Sequence, residues 1–156
     1  MLINREVILA KIETTYNTDP VPVAANDAVL VDGLNWSAEG ARMNERNAIR
    51  SSLGKLQQVF GGTLRSVSFD CEIKGSGAAG TAPEVGVLLR ACAFGETISA
   101  GVSVTYAPVS TAIESVTIYY YQDGRLTTLT GCRGTVSFSF EAGGIGKASF
   151  TFTGHS

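Results

Sequence analysis

Between Thr63 and the C-terminus, stretch after stretch of this chain alternates oily and polar side chains with a period of two. Val67, Phe69, Cys71 and Ile73 interleave with Ser66, Ser68, Asp70, Glu72 and Lys74. Val102, Val104 and Tyr106 alternate with Ser103 and Thr105, and Val116, Ile118 and Tyr120 with Thr117 and Tyr119. Val136, Phe138 and Phe140 alternate with Thr135, Ser137, Ser139 and Glu141; Ala148, Phe150 and Phe152 alternate with Lys147, Ser149, Thr151 and Thr153. Successive strand side chains point to opposite faces, so each stretch reads as a strand with one oily and one hydroxyl-rich face. Gln122-Asp123-Gly124 signals a hairpin, because Asp-Gly tolerates the positive φ that such turns need; Leu126–Thr130 is the return strand, and Gly143-Gly144 turns the chain again. The pattern predicts a mostly β (β+α) fold: an antiparallel β-sandwich or barrel with one solvated face.

One flanking helix is expected over about residues 81–94. Thr81-Ala82-Pro83-Glu84 has the form of a capping box, Val85, Leu88, Leu89 and Cys92 share a face, and Gly95 supplies a stop. A helix this short is marginal alone and should lie on the sheet. Nearer the N-terminus, residues 5–15 carry Val7, Ile8, Ala10, Lys11 and Ile12 at a helix-like spacing, ending in the turn cluster Tyr16–Pro20. Pro20 and Pro22 keep the next stretch extended. A short strand Ala28–Val31, a turn at Asp32-Gly33 and a strand over Leu34–Ala38 follow. Residues 39–62 form a long extended segment; Ile49, Leu53, Leu56, Val59 and Phe60 come near a helical period there, but Gly54 interrupts it. A segment of that length without regular structure is usually functional.

Charged residues make up only 17% of the 156, which is low for a soluble domain. A surface short of charge is either covered by a partner or built from Ser and Thr, and both readings stand. A net charge of −2 excludes nucleic-acid binding by bulk charge. Cys71, Cys92 and Cys132 are odd in number and widely spaced, which suits reduced, packed thiols better than a disulfide framework or a metal knuckle. Met1–Glu6 lacks the pattern of a signal peptide, and no apolar run approaches the ~18 residues of a membrane helix. The expectation is a chain made in a cytoplasm and soluble until it meets a partner, with no membrane insertion.

Catalytic chemistry finds little support. The one histidine, His155, is penultimate, where residues are usually mobile. Asp70 and Glu72 share the polar side of a strand and read as a solvated face. Gly75-Ser76-Gly77-Ala78-Ala79-Gly80 matches a dinucleotide fingerprint, with Glu96 about twenty residues on. Its preceding strand carries Asp70, Glu72 and Lys74, however, where a first Rossmann strand is apolar on both faces. Nothing downstream alternates strand with helix. The expectation is no enzyme, no cofactor and no metal. Asn35-Trp36-Ser37 is a formal glycosylation sequon without a secretory signal, and Trp36 reads as a core or subunit-contact anchor.

Charge is unevenly placed. The first 40 residues hold Glu6, Glu13, Asp19, Asp27, Asp32 and Glu39 against Arg5 and Lys11; residues 41–65 hold Arg42, Arg46, Arg50, Lys55 and Arg65 against Glu45. An acidic region followed by a basic one suits head-to-tail association, which gives rings or filaments. Chance clustering on a solvated surface is the other reading.

Several stretches resemble the tail tube proteins of tailed bacteriophages. They are Lys11-Ile-Glu-Thr-Thr-Tyr-Asn-Thr-Asp-Pro-Val-Pro, Met43-Asn-Glu-Arg and Gly54-Lys-Leu-Gln-Gln-Val-Phe-Gly-Gly, then Glu72-Ile-Lys-Gly-Ser-Gly-Ala-Ala-Gly-Thr-Ala-Pro-Glu, Thr117-Ile-Tyr-Tyr-Tyr-Gln-Asp-Gly and Leu129-Thr-Gly-Cys-Arg-Gly-Thr-Val-Ser-Phe. The likeness is collinear from about Ile8 to Gly154. It implies one tail-tube-like domain over 1–156. It further implies that six copies would form a ring whose strands join into one inner barrel, and that rings would stack around a tape-measure protein into a tube that later conducts DNA. Tail terminator, baseplate or tip proteins and, where present, a sheath are the implied partners. The location implied is the virion tail, reached from the host cytoplasm. Residues 39–62 match the family's long inter-subunit loop, which makes Arg42, Met43, Glu45, Arg46, Arg50, Lys55, Leu56 and Phe60 the candidate contacts. Residues 1–22 would also pack across an interface. The hydroxyl-rich faces make Ser137, Ser139, Glu141, Lys147, Ser149 and Thr151 the candidates to line the lumen. A type VI secretion-like or pyocin-like tube subunit is the nearest alternative. A virion decoration or carbohydrate-binding β-sandwich is another, with Tyr119 and Tyr121 as its exposed aromatics.

Overall fold

The computed structural model describes residues 6–39, 43–47, 49, 54 and 56–156. In chain order the elements are β1 (Glu6–Ile12), α1 (Ala24–Asp27), β2 (Ala28–Val29), β3 (Asp32–Glu39), β4 (Met43–Asn44), β5 (Val59–Phe60), β6 (Leu64–Glu72), α2 (Gly86–Ala91), β7 (Phe94–Ser99), β8 (Ser103–Pro108), β9 (Val116–Gln122), β10 (Arg125–Ser139) and β11 (Lys147–His155). Seven strands form one antiparallel sheet in the order β2-β1-β9-β10-β11-β6-β3; β4–β5 and β7–β8 are separate two-stranded ribbons. The mostly β expectation therefore holds, with α2 as the flanking helix.

β10 bends the sheet. Its first part pairs with β9 as far as Cys132; from Arg133 its register runs against β11. Both registers shift around Gly131, which takes φ +62. Such a bulge bends a strand and sharpens its twist. The sheet consequently folds over itself: Trp36 on β3 lies edge-on, 6.2 Å from Tyr120 on β9, although three strands separate β3 from β9. The architecture is an open sandwich with β2 and β3 as edges, and no barrel closes among the described residues.

The period-two pattern decides which side is oily. Val67, Phe69 and Cys71 of β6 and Ala148, Phe150 and Phe152 of β11 are buried, and the rings of Phe69, Phe150 and Phe152 lie 5.8 to 5.9 Å apart. Removing each large side chain from water contributes roughly 1.5–3 kcal/mol. Leu88, Leu89 and Val85 bring α2 onto the same core. The Asp123-Gly124 turn forms as expected, with positive φ at both residues.

The N-terminal part departs from expectation. Residues 6–12 are a central strand, not a helix. Ile8, Leu9 and Ala10 are all buried, so both faces of β1 are oily and the period-two signal vanishes. The strand at Ala28 is only two residues long, and β3 begins at Asp32, with Gly33 (φ +62) making a bulge inside it instead of a turn before it. The helix near residue 81 is shorter than its apolar face suggests. Thr81 and Glu84 do not cap it: the residue before α2 is Val85, without a side-chain cap, and Glu84 pairs with Lys74 at 3.6 Å. Ala93, at φ +65, turns the chain before Gly95 is reached. Gly95 is already in β7, with Val109 so close that a Cβ would come within 2.9 Å of it.

A buried carboxylate ties the N-terminal segment to the bend. Glu13 accepts hydrogen bonds from Ser115 Oγ (2.6 Å), Thr117 Oγ1 (2.6 Å), Gly131 N (2.7 Å) and Asn17 N (2.8 Å). Burial pushes its pKa up, but the bonds from Ser115, Thr117, Gly131 and Asn17 outweigh that and hold it below the ordinary 4.5. Asp19 accepts the Tyr119 hydroxyl, which pushes that phenol up to about 12. Thr117 and Tyr119, on the back of β9, are thereby covered by residues 13–19.

Two predictions follow from this packing. A Cβ on Gly154 would collide with Cys132 Sγ and stand 2.9 Å from Thr130 O; Gly154→Ala should lower stability by about 1–3 kcal/mol in denaturant titration. Gly75→Ala, with nothing within 4 Å, should be neutral. Glu13→Gln should cost about 1–3 kcal/mol at neutral pH, because an amide NH2 faces groups that need an acceptor. A lowered native pKa gives stability that is complete above 4.5 and lost as pH falls through the native value. That acid-side loss should flatten in Glu13→Gln when unfolding is followed against pH.

Candidate assembly surfaces

The half-sheet β10-β11-β6-β3 presents one continuous polar face. Its registers align Thr135–Thr151–Ser68–Asn35, then Ser137–Ser149–Asp70–Asp32, then Ser139–Lys147–Glu72. Five of the lumen candidates, Ser137, Ser139, Lys147, Ser149 and Thr151, thus share a face. Glu141 does not belong to it: β10 ends at Ser139, and Glu141 O accepts from Gly144 N in the turn beyond. Charge on the face is sparse. Lys147 Nζ bonds Asp32 Oδ2 at 3.0 Å, holding that carboxyl below and the ammonium above their ordinary ranges. Arg133 turns away, donating to Ile113 O at 3.1 Å with its guanidinium 5.1 Å from the Tyr16 ring centre.

The lateral edges of this half-sheet are open. Among the described residues no strand pairs with the outer edge of β3, nor with the edge of β10 opposite β11 beyond Cys132. The four strands alternate in direction, so β3 and β10 run opposite ways. Open edges are templates for pairing with another chain.

The core face also runs past its cover. Phe138 lies on the oily side by register, and Phe140, just past the end of β10, stacks on it with the rings 6.5 Å apart; they are 48% and 71% exposed. Alternation alone places them inside, yet both remain exposed. Ile73, Ile145 and Leu30 are exposed nearby or at the adjoining groove. Ile73 is legible in the sequence as an oily strand position, while Leu30 and Ile145 sit outside any alternation.

Between β3 and β6 the chain leaves the sheet as an arm. Met43 pairs with Phe60 and Asn44 with Val59, so its base is a β-ribbon, and residues 56–58 are not helical. Met43, Phe60, Glu45 and Arg46 are exposed and Leu56 is half-buried. Gln58 Nε2 donates to Glu45 Oε1 at 3.3 Å. Arg42, Arg50 and Lys55, and the helix-like spacing through Leu53, lie outside the described residues. The acidic N-terminal region is largely engaged within the chain. Glu13 is buried, Asp19 holds Tyr119, Asp27 accepts from Val23 N and stands 4.0 Å from Lys11, and Asp32 holds Lys147.

The remaining titratable groups serve structure. Arg90 grips Glu114 through two bonds (2.5 and 2.6 Å) and stands 3.9 Å from Glu96, which accepts from Tyr106 at 2.5 Å, so the Arg90–Glu96 pair ties α2 to the β7–β8 ribbon. Burial pushes the thiols of Cys71, Cys92 and Cys132 up to about 12, which disfavours the thiolate form. Residues 75–80 line a groove of about 570 Å³ with Val102, Val104 and Tyr106. The strand before them is one of an antiparallel sheet, so the dinucleotide reading has no parallel βαβ unit to rest on. Among the described residues no cluster of His, Cys, Asp and Glu could hold a metal, and no helix is long and apolar enough to cross a membrane. Tyr119 is buried, which removes it as an exposed platform for a sugar.

No curated protein matches the chain. A family of phage tail tube proteins matches residues 3–156, and its structural role fits an open-edged sheet. The chain belongs to the phage tail tube protein family.

Proposed function

We propose that this protein is the repeating subunit of a hollow tail tube, in which six copies close a ring, rings stack, and DNA passes through the lumen. The observation that carries this reading is the half-sheet β10-β11-β6-β3, polar on one face and open at both lateral edges. Copies related by rotation about an axis along the strands would set β3 of one beside β10 of the next. Those strands run antiparallel, so every junction repeats the geometry inside the subunit. Closure of the ring removes the edges that a lone subunit leaves open.

The face turned inward would carry Ser137, Ser139, Ser149 and Thr151 with few free cations. Each cation–phosphate contact adds salt-dependent affinity; a hydroxyl surface with its lysine paired lets a polyanion slide. Glu141 is assigned to the ring's end instead of its wall. Residues 39–62 would contact neighbouring copies. A tape-measure protein would occupy the lumen before DNA, and the location is the virion tail. The type VI-like reading shares this geometry and differs only in cargo.

Purified protein at high concentration should form rings or tubes under negative stain; a strictly monomeric protein at every concentration overturns the proposal. Phe138→Ser with Phe140→Ser should leave a folded chain by circular dichroism while reducing ring formation at least tenfold, since both rings need a cover the subunit lacks. Arg46→Glu with Arg50→Glu should likewise weaken assembly without unfolding. Unchanged tubes from that pair would remove the arm from the contact set.

A further inference from the structure

We propose that Glu13 is a positioning residue for ring closure: by fixing the bend of β10 at Gly131 it sets the angle at which one copy meets the next, and with it the number of copies in a ring. The inference rests on the tube reading and deepens it, from which edges join to what fixes the angle between them.

β10 serves two neighbours in turn along one edge. As far as Cys132 that edge is taken by β9; over Arg133–Ser139 it is bare, while β11 holds the opposite edge. The bare stretch is close in length to the eight residues of β3, the strand a second copy would bring to it. Its direction relative to the rest of the subunit is set at the bulge between the two parts, because a bulge is where a strand changes course. A closed ring of equal copies turns by one fixed angle at each junction: about 60° for six, about 51° for seven and about 72° for five. A drift of roughly 10° at every junction therefore changes the count or leaves the ring unclosed.

Residues 13–17 brace the bulge from both sides. Glu13 ties Ser115 and Thr117, where β9 begins, to Gly131 N on the bulge and to Asn17 N. Asn17 Oδ1 accepts from Thr130 Oγ1 at 2.7 Å, just before the bulge. Tyr16 lies under the Arg133 guanidinium, just after it, and Arg133 also donates to Ile113 O. Gly131 is held between them: a Cβ there would stand 3.2 Å from the Tyr16 ring and 3.3 Å from Asn17 Oδ1. Hydrogen bonds to an ionised carboxylate are roughly twice as strong as neutral ones, so this hub resists flexing. Glu13 is only 6% exposed, and so it acts on the junction through β10 and not by touching the next copy.

Counting copies per ring tests it. Rings of full-length protein are classified by copy number in electron micrographs, at a temperature where circular dichroism shows each chain folded. The unaltered chain should give one copy number in about nine tenths of its closed rings. Glu13→Gln keeps the size of the side chain but loses an acceptor; it should cut that share roughly twofold or more, in favour of other copy numbers and open arcs. Tyr16→Ala, at a position 53% exposed, spares the core and should shift the distribution the same way. Val29→Ala opens a cavity on β2, at the far edge of the sheet, and destabilises without touching the bend; its rings should keep the native count. Unchanged counts in both Glu13→Gln and Tyr16→Ala overturn the role of Glu13, as does a Val29→Ala distribution as broad as theirs, and the tube reading survives either result. If Glu13→Gln does not fold, Tyr16→Ala decides alone. Failure of the unaltered chain to form rings overturns both.

Discussion

Everything distinctive in this fold hangs on one buried carboxylate. Glu13 sits where β10 changes neighbours, and its two oxygens take four donors from three separate parts of the chain. The bulge at Gly131 needs an acceptor for its N–H, because a bulge disrupts the ladder that would otherwise satisfy it. Glu13 supplies that acceptor, and Tyr16 and Asn17 pack within 3.2 to 3.3 Å of where a Gly131 Cβ would stand. The bend brings Trp36 across to Tyr120, and it divides β10 into a part that belongs to the core and a part with a bare edge. Without the bend the seven strands would form a flat sheet with no inside.

The second governing constraint is parity. On β6 and β11 the same alternation that packs Phe69, Phe150 and Phe152 leaves Ser68, Asp70, Ser149 and Thr151 aligned on the reverse. A polar wall and an oily core are two readings of one register. A slip of one residue would exchange them. The long strands therefore specify the wall as firmly as they specify the core, although the wall residues themselves bury little.

Legibility in the sequence followed burial geometry. Strands with one wet face, β6, β10 and β11, announced themselves through alternation, and the polar face could be named residue by residue. β1 did not, because Leu9 on its back is as buried as Ile8 and Ala10 on its front, and a two-sided oily strand mimics a helix turn. The capping box misled for a different reason: Thr81 is held in a Gly-rich loop, where its carbonyl accepts from Ser76 Oγ at 2.8 Å, and Glu84 is drawn to Lys74. Among the candidate contacts, Met43 and Phe60 were brought together by pairing that no periodicity encodes. The open edges were invisible in principle, since an edge is defined by what a strand lacks, and only topology shows that.

The pairing of β1 with β9 also sets an order of events. Glu6 aligns with Gln122, and Glu13 reaches Ser115 across 102 residues. Contacts so distant in sequence form late and slowly. The wall is later still, because it requires β10 and β11 at the C-terminal end. While the chain is being made, β3 and β6 can pair before β10 exists, so the second open edge of the half-sheet takes form only when the last strands are in place.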